Sequence, residues 1–284
     1  MEALDRRLHA YRDDLADVRL RNQYYAAAYV DGTPGHIICG AADLRSEPDG
    51  KCRIDTQLLY GENITIFERK DGWAWVQADT DGYVGYIKES AIAATPTVPS
   101  HCVSNLRTFI YPEPDLKAPP LRLISMNSPL QLTEKKHSGF QLLEEGDWVV
   151  AGHLSKIDNH EDDPCEIALR FIGTPYLWGG RTSLGLDCSA LVQMSLLRCG
   201  ISVPRDSDMQ EKVISRPATG ENDLSHLKRG DLIYWRGHCG IWIDSFRFIH
   251  ANATDMAVAI QPLECILEHL SEATGDNRPR IRRP

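Results

Sequence analysis

The sequence lacks any uninterrupted apolar run of about 18 residues, the length that a membrane-spanning helix needs. It also lacks an excess of positive charge, since 31 Lys and Arg against 40 Asp and Glu give a formal net charge of −9. A surface of that sign repels phosphate backbones and anionic lipids. We therefore expect neither nucleic acid nor membrane as a partner, and nothing in the sequence implies an obligate protein partner.

A recognisable secretory signal is missing as well. The stretch MEALDRRLHAYRDDLADVRLRNQ has neither the apolar centre nor the small-residue cleavage site of a signal peptide. The expected location is the cytoplasm, although a chain trimmed of its signal would look the same. Low-complexity tracts are absent, and 42% apolar with 25% charged residues is typical of folded domains. A length of 284 residues predicts two or three such domains.

The eight cysteines form no CxxC pair. Their scattered spacing matches neither a zinc knuckle nor a disulfide framework, so we expect no metal and no other cofactor. In a reducing compartment most of them would be small, buried apolar side chains. One cysteine, discussed below, needs a different explanation.

Changes of pattern divide the chain into four regions. Residues 1–36 are predicted to form an N-terminal helix and lead-in, because apolar residues recur at steps of four and three: Leu4, Leu8, Tyr11, Leu15 and Val18. Residues 37–95 and 96–155 each contain short strands bounded by Gly, Asp and Pro, and corresponding segments recur in both regions. This repetition resembles two bacterial SH3-like barrels in tandem.

Residues 156–284 are predicted to form an α+β domain. Asp163 and Pro164 offer an N-cap and a first helical residue. Later, the stretches GDLIYW, CGIWID and FRFIHAN are typical of consecutive strands. The predicted fold class is thus multi-domain: two small all-β barrels followed by a domain in which helices precede the sheet.

The stretch YLWGGRTSLGLDCSALVQ places a thiol at the start of a predicted helix. Asp187 is a suitable N-cap, and Gly200 lies where a C-terminal glycine belongs. In the first turn, unpaired backbone N–H groups and the positive end of the helix dipole favour a thiolate. By itself, Cys188 is as compatible with a buried structural role as with a nucleophilic one.

A thiolate nucleophile needs a base, and the base needs an orienting group. Among ten histidines, His238 opens one predicted strand and His250 closes the next. If these strands pair with Gly240 opposite His250, both imidazoles lie on one face, one diagonal step apart. Gly240 would also leave room for the ring, whereas a slip of one residue would separate the two histidines.

Four blocks of the sequence, PYLWGGRTSLGLDCSALVQ, LKRGDLIYW, GHCGIWI and FIHAN, resemble the NlpC family of papain-like cell-wall cysteine peptidases. The resemblance covers residues 165–263. It implies that Cys188 is the nucleophile, His238 the general base, and His250 the polar residue that orients the base. It also implies that the Tyr176 hydroxyl assists the backbone N–H of Cys188 in the oxyanion hole.

The preceding barrels resemble those of one branch, the γ-D-glutamyl-L-diamino acid endopeptidases, which cut murein stem peptides that have a free N-terminal L-alanine. The resemblance implies that residues of both regions surround the substrate amine: Asp187, Ser189, Ser207, Glu62 and Tyr83. Arg181 or Arg205 is expected to hold a stem-peptide carboxylate. Cys239 departs from the small or branched apolar residue usual in the family, and we interpret it as buried and inert.

The expected activity is hydrolysis of the γ-D-glutamyl-diamino acid bond of murein-derived peptides, through a thioester on Cys188, in cell-wall peptide recycling. Three alternatives remain open: a general peptidoglycan endopeptidase, an amidase or acyltransferase with the same core, and a wall-peptide-binding protein with weak catalysis. The complete set of Cys188, His238 and His250 argues against the last. The sequence does not choose between meso-diaminopimelate and lysine as the diamino acid.

Overall fold

The computed structural model describes residues 4–214, 224–267 and 278–284, and the chain divides into two compact units, residues 1–159 and 160–284. The strands of the first unit are β1 (Leu15–Asp17), β2 (Ala28–Val30), β3 (Thr33–Ile37), β4 (Ala41–Leu44), β5 (Thr56–Leu59), β6 (Asn63–Lys70), β7 (Trp73–Ala78), β8 (Val84–Lys88), β9 (Ile92–Ala93), β10 (His101–Val103), β11 (Arg107–Tyr111), β12 (Arg122–Ser125), β13 (Pro129–Leu130), β14 (Leu132–His137), β15 (Phe140–Leu143), β16 (Trp148–Val150) and β17 (Leu154–Lys156).

The second unit begins at residue 160, slightly after the predicted boundary at 156. Its elements are α1 (Pro164–Leu169), β18 (Arg181–Thr182), β19 (Gly185–Leu186), α2 (Cys188–Arg198), α3 (Ser207–Val213), β20 (Leu232–Trp235), β21 (His238–Trp242), β22 (Arg247–Asn252), β23 (Ala257–Pro262) and β24 (Arg280–Arg282). Within the part of the chain that the structure describes, no helix is long and apolar enough to cross a membrane.

Residues 4–36 contain no α-helix, so the predicted N-terminal helix is wrong. The Asp17 carboxylate accepts a hydrogen bond from the backbone N–H of Arg19 and caps a single short 3-10 turn, Val18–Leu20. Strand β1 instead pairs in parallel with β2. Leu15, one residue of the predicted helical stripe, packs together with Ala10 against aromatic side chains of β6 and β7. The apolar residues therefore cover a neighbouring β module from an extended segment.

Two β modules with the same strand connectivity make up the rest of this unit. In the first, β3 pairs with β6 and β9, β4 pairs with β5, and β6, β7 and β8 form an antiparallel meander. In the second, β10 pairs with β13 and β17, β11 pairs with β12, and β14, β15 and β16 form the meander. Each module has its own core, around Leu58 and Ile87 in one and Val103 and Ile124 in the other. The first strand starts at Thr33, before the predicted boundary at residue 37.

A buried polar cluster joins the two modules. His36 is 4% exposed, and its Nε2 lies 2.9 Å from Glu145 Oε1, while its Nδ1 is bonded to the backbone oxygen of Thr95. The hydroxyl of Tyr60 donates to the other carboxylate oxygen of Glu145. The hydrogen bond with Glu145 raises the pKa of His36, and the same bond lowers the pKa of Glu145. The cluster therefore favours a charged pair at the junction.

The second unit has the predicted α+β arrangement. Its three named helices precede an antiparallel sheet with the strand order β23-β22-β21-β20-β24. Helix α1 begins as predicted, with Asp163 accepting from the backbone N–H of Cys165 and Pro164 as the first helical residue. Helix α2 packs against β21 and β22, the two strands that carry His238 and His250.

We predict that Glu145→Gln lowers the free energy of unfolding by on the order of 1 kcal/mol near pH 6 and by less near pH 9. The pKa of His36 is raised in the folded state. Its protonation therefore stabilises the fold fully below the unfolded pKa of about 6.5, and this stabilisation is lost as the pH rises through the folded pKa. Urea denaturation at the two pH values measures the difference.

The matched control is Glu134→Gln, which changes an exposed glutamate of the same module. Its effect should be small at both pH values. An equal loss of stability at pH 6 and pH 9 in Glu145→Gln would contradict the ion pair.

Candidate active site

The thiol of Cys188 lies at the first residue of α2, as the sequence predicts. Asp187 is the N-cap, with an extended backbone, and its side chain accepts from the backbone N–H of Ala190. Gly200 has a φ of +78°, the left-handed conformation typical of a residue that follows a helix. Because Cys188 is a first-turn residue, its backbone N–H has no partner inside the helix and is available to a ligand.

A buried ion pair fixes this helix start. Arg205 is 1% exposed and donates to both carboxylate oxygens of Asp187, at 2.9 and 2.7 Å. It also donates to Ser189 Oγ, which in turn donates to Asp187. The Asp187 carboxylate accepts further from the backbone N–H groups of Gly179 and Ala190. With all these bonds made inside the unit, Asp187 and Ser189 hold the helix start, and their predicted direct contact with a substrate ammonium is not favoured.

The two arginines proposed for a substrate carboxylate are both buried. Arg205 commits its guanidinium to Asp187, Ser189 and the backbone oxygen of Gly180. Arg181, in β18, is 0% exposed. Neither side chain presents a charge to solvent, so the expectation that one of them binds the stem peptide needs correction. The burial of these two arginines could not be predicted from the sequence, because it depends on tertiary contacts.

Three further residues predicted to surround the substrate amine stay predictions. Ser207 is the first residue of α3. Glu62 and Tyr83 belong to the first unit, where both are buried. The Glu62 carboxylate accepts from the backbone N–H of Leu59 and from the Thr80 hydroxyl, so it is a structured acid and not a solvated one.

The two histidines meet as their predicted strand register requires. Strand β21 pairs with β22 through Ile241 opposite Ile249, the same register that sets Gly240 opposite His250. His238 Nε2 lies 2.7 Å from His250 Nδ1. We predicted that Gly240 leaves room for the His250 imidazole. In the structure the ring of Phe248 occupies this space, since a Cβ at Gly240 would lie 2.5 Å from it. Phe248 also packs on His250, with the ring centroids 5.2 Å apart.

A polar chain behind His250 extends the catalytic set and was missed from the sequence. His250 Nε2 lies 3.2 Å from Asn252 Nδ2. Asn252 is held in turn by Asp255, whose backbone N–H donates to its side-chain oxygen and whose carboxylate accepts from its amide. Gln261 donates to the same carboxylate. Asn252 lies in the sequence block FIHAN, two residues after His250. Residues at this spacing share one face of a strand, and that spacing could have indicated the contact.

Burial and the neighbouring His238 lower the pKa of His250 to about 3. His250 is therefore neutral at physiological pH and can accept the Nε2 proton of a charged His238. A neutral acceptor at this position orients the base without adding a second positive charge.

The environment of Cys188 favours its thiolate. Side-chain hydrogen bonds from Cys239 and His238 lower the pKa of Cys188 well below its ordinary value, against opposing contributions from burial and the charge of Asp187. Burial and the bond to Cys188 raise the pKa of Cys239, which remains a thiol and a donor. Cys239 is buried as predicted, and its thiol contributes to the lowered pKa of Cys188.

Tyr176, which is predicted to assist the oxyanion, lines the same cavity as His238 and His250. Its backbone N–H donates to the carbonyl of Met256 at 2.8 Å, and its segment bridges to Leu186, two residues before the thiol. Burial, followed by the nearby Cys188, raises the pKa of the Tyr176 hydroxyl. It therefore stays protonated and can donate a hydrogen bond to a developing negative charge.

A cavity of about 520 Å³ opens beside these groups. Tyr176, His238, His250 and Asn252 contribute to its wall, and Arg236 and Cys265 border it further out. A thiolate, an imidazole with a neutral orienting partner, and two oxyanion donors next to an open cavity can perform acyl transfer.

Comparison with known protein families shows which enzymes this site resembles. Residues 173–269 match the NlpC/P60 family, and residues 44–92 match the bacterial dipeptidyl-peptidase SH3 domain. The second unit is an NlpC/P60 domain. The first β module is accordingly an SH3 domain of the kind that accompanies bacterial dipeptidyl-peptidases, and the chain is a peptidase.

Two relatives align with parts of both units. Dipeptidyl-peptidase 6 of Lysinibacillus sphaericus is 22% identical over 252 residues, which cover 80% of this chain and 91% of that protein. The γ-D-glutamyl-L-lysine dipeptidyl-peptidase of Bacillus cereus is 27% identical over 242 residues, 74% of this chain and 71% of that one. A solved NlpC/P60 family protein from Bacillus cereus has a TM-score of 0.72 at 22% identity and covers 89% of this chain and 99% of its own, so it shares the fold.

In the NlpC/P60 domain, iodoacetamide near pH 6 should modify Cys188 faster than any other of the eight cysteines. Cys239→Ala should move the midpoint of the rate against pH to a higher value, because it removes a hydrogen bond that lowers the Cys188 pKa. Mass spectrometry of the labelled peptides measures both effects.

Cys165→Ala is the matched control, since the buried Cys165 thiol bonds to the backbone oxygen of Trp242 and not to the nucleophile. It should leave the midpoint unchanged. Faster labelling of the exposed Cys265, or an unshifted midpoint in Cys239→Ala, would count against this assignment.

Proposed function

We propose that this chain hydrolyses the γ-D-glutamyl bond to a diamino acid in murein-derived peptides whose N-terminal amine is free. The observation that carries the proposal is the arrangement of Cys188, His238 and His250 inside an NlpC/P60 domain. The names of two relatives that span more than 70% of both chains support the bond and the order of cleavage.

Each step of the proposed reaction is performed by a named residue. The Cys188 thiolate attacks the γ-carbonyl carbon, and the resulting oxyanion accepts hydrogen bonds from the Cys188 backbone N–H and the Tyr176 hydroxyl. As the C–N bond breaks, His238 gives its proton to the leaving amine, which leaves a thioester on Cys188. Water, deprotonated by His238, then attacks the thioester and releases the acid and the thiolate.

His250 acts through His238. Its neutral imidazole accepts the Nε2–H of the charged base across 2.7 Å and so keeps the Nδ1 side directed toward the thiol. Asn252, whose side chain Asp255 fixes, lies behind the ring, with its Nδ2 3.2 Å from His250 Nε2. We therefore propose Cys188, His238 and Tyr176 as catalytic residues and His250 as a positioning residue.

A requirement for a free substrate amine is part of the proposal. A peptidase that releases dipeptides must recognise the end of its substrate, and an ammonium is best recognised by a carboxylate. Because Asp187 is committed to Arg205, we assign this role to Glu62, and we propose Tyr83 and Ser207 as further contacts of the bound amine. The resemblance to the γ-D-glutamyl-L-diamino acid endopeptidases supports the assignment, and the hydrogen bonds from Leu59 and Thr80 fix the position of the carboxylate.

The setting we propose is the recycling of released wall peptides in the cytoplasm. The stem peptides of intact wall are amide-linked to sugar through their N-terminal alanine. They have no free N-terminal amine and would therefore be refused. We further propose that the second β module is also an SH3-like barrel. Its strand connectivity and its separate core, which match those of the first module, support this.

Cys188→Ala and His238→Ala should each abolish turnover, whereas His250→Ala should retain a weak activity, reduced roughly 10²–10⁴-fold in kcat. The reason is that a positioning residue affects only the orientation of the base. His226→Ala, which changes an exposed histidine of the same domain, is the control. A near-normal kcat in His238→Ala would show that the base has been misassigned.

N-acetylation of the tripeptide L-Ala-γ-D-Glu-meso-diaminopimelate should lower kcat/KM by on the order of a hundredfold, because the charged hydrogen bonds to the amine are lost and bulk is added. Glu62→Gln should lower kcat/KM for the free tripeptide and leave the slow rate on the acetylated one almost unchanged. Equal rates of the wild type on the two substrates would turn the proposal toward a general peptidoglycan endopeptidase.

A further inference from the structure

The cavity beside His238 carries a charge to which no role has yet been assigned. Arg236 is exposed and contributes to the cavity lining. Among the described residues that line the cavity, no Asp or Glu accompanies it, and no second Lys or Arg. Within the described ranges, Arg236 forms no hydrogen bond or ion pair with another side chain or with the backbone. The guanidinium is therefore available to a ligand.

The position of Arg236 is fixed by the turn that carries it. Arg236 and Gly237 alone connect β20 to β21, and Trp235 pairs with His238 at the base of this turn. Gly237 has a φ of +76°, which a two-residue connection of this shape needs and which favours glycine. Trp235 is 2% exposed and stacks on the His238 ring, with the centroids 6.2 Å apart. The backbone of Arg236 is thus held next to the catalytic base.

The chemistry of the reaction decides which half of the substrate lies in this cavity. The acyl half becomes attached to Cys188, which does not contribute to the cavity lining among the described residues. The leaving amine must lie within hydrogen-bond distance of His238, because His238 protonates it. A cavity bordered by His238, His250 and Arg236 therefore receives the leaving diamino acid.

The two common diamino acids differ in charge at the end of their side chain. Lysine ends in an ammonium, whereas meso-diaminopimelate carries a carboxylate beside its ammonium. A guanidinium pairs with a carboxylate through two parallel hydrogen bonds and repels an ammonium. Among the described lining residues, Arg236 is the charged side chain and no acid accompanies it, so the wall that they form favours a carboxylate over an ammonium.

We propose that Arg236 binds the side-chain carboxylate of the leaving diamino acid, which lysine lacks, and thereby makes this enzyme prefer meso-diaminopimelate to lysine, an inference that rests on the proposed function. Arg236 acts as a specificity-determining residue. It takes no part in the attack or in proton transfer, so its removal should change the choice between substrates more than it changes the chemical step.

The test compares kcat/KM for three substrates that share the L-Ala-γ-D-Glu acyl half. Their leaving groups are meso-diaminopimelate, L-lysine and a neutral fluorogenic amine without a carboxylate. The wild type should prefer meso-diaminopimelate to lysine by about tenfold or more, the size of one charge-assisted contact. Arg236→Gln should reduce that preference to about threefold or less, chiefly by a loss on meso-diaminopimelate, and should leave the neutral substrate unaffected. Lys228→Gln, which removes an exposed cation elsewhere in the domain, should change none of the three values.

Three outcomes would overturn the inference. A wild type that cleaves the lysine peptide as fast as the meso-diaminopimelate peptide has no such selectivity. An equal loss on all three substrates in Arg236→Gln would mean that the residue supports the fold or the base and not the leaving group. Failure of the wild type to cleave any of the three substrates would overturn the proposed function itself, and the two failures are therefore distinguishable.

Discussion

The buried ion pair between Asp187 and Arg205 fixes the geometry on which the rest of the active site depends. Asp187 caps α2, so its position sets the direction of the Cys188 backbone N–H and thiol. It also bonds to Gly179 and, through Arg205, to the backbone of Gly180, which ties the loop after Tyr176 to the helix. Removing one partner of such a pair leaves an uncompensated buried charge, at a cost of roughly 3–5 kcal/mol.

The same pair resolves an electrostatic conflict. A carboxylate beside a nucleophilic thiol opposes ionisation of that thiol, and Asp187 does raise the pKa of Cys188. Arg205 partly compensates by holding a positive charge 2.7 Å from the carboxylate. The contributions of Cys239 and His238 then lower the pKa of Cys188 well below its ordinary value. A structural aspartate and a reactive thiolate can thus be adjacent in sequence without cancelling each other's function.

Features determined by local pattern were predictable from the sequence. The N-caps Asp163 and Asp187 and the register that joins His238 to His250 follow from capping chemistry and from the period of two in strands, and the structure confirms all of them. The N-terminal prediction failed because the spacing of its apolar residues is compatible with more than one backbone, and packing on β6 and β7 selected the extended one.

The side chains that contact Asp187 and Cys188 could not be predicted, because such contacts join residues that are distant in sequence. Arg205 lies 18 residues from Asp187, and no local pattern distinguishes it from an arginine that faces a substrate. Cys239 lies opposite Cys188 only when β21 packs on α2. Arg236 remained unnoticed in the sequence because a turn residue gains a role only when the cavity beside it is known.

The most direct test of the account is the identity of the covalent intermediate. L-Ala-γ-D-Glu-meso-diaminopimelate is mixed with the enzyme, quenched with acid within one turnover, and the digested protein is analysed by mass spectrometry. The account predicts the L-Ala-γ-D-Glu acyl group on the peptide that contains Cys188, formed as free diaminopimelate is released. Release of diaminopimelate without any acylated Cys188, or the acyl group on another cysteine, would contradict it.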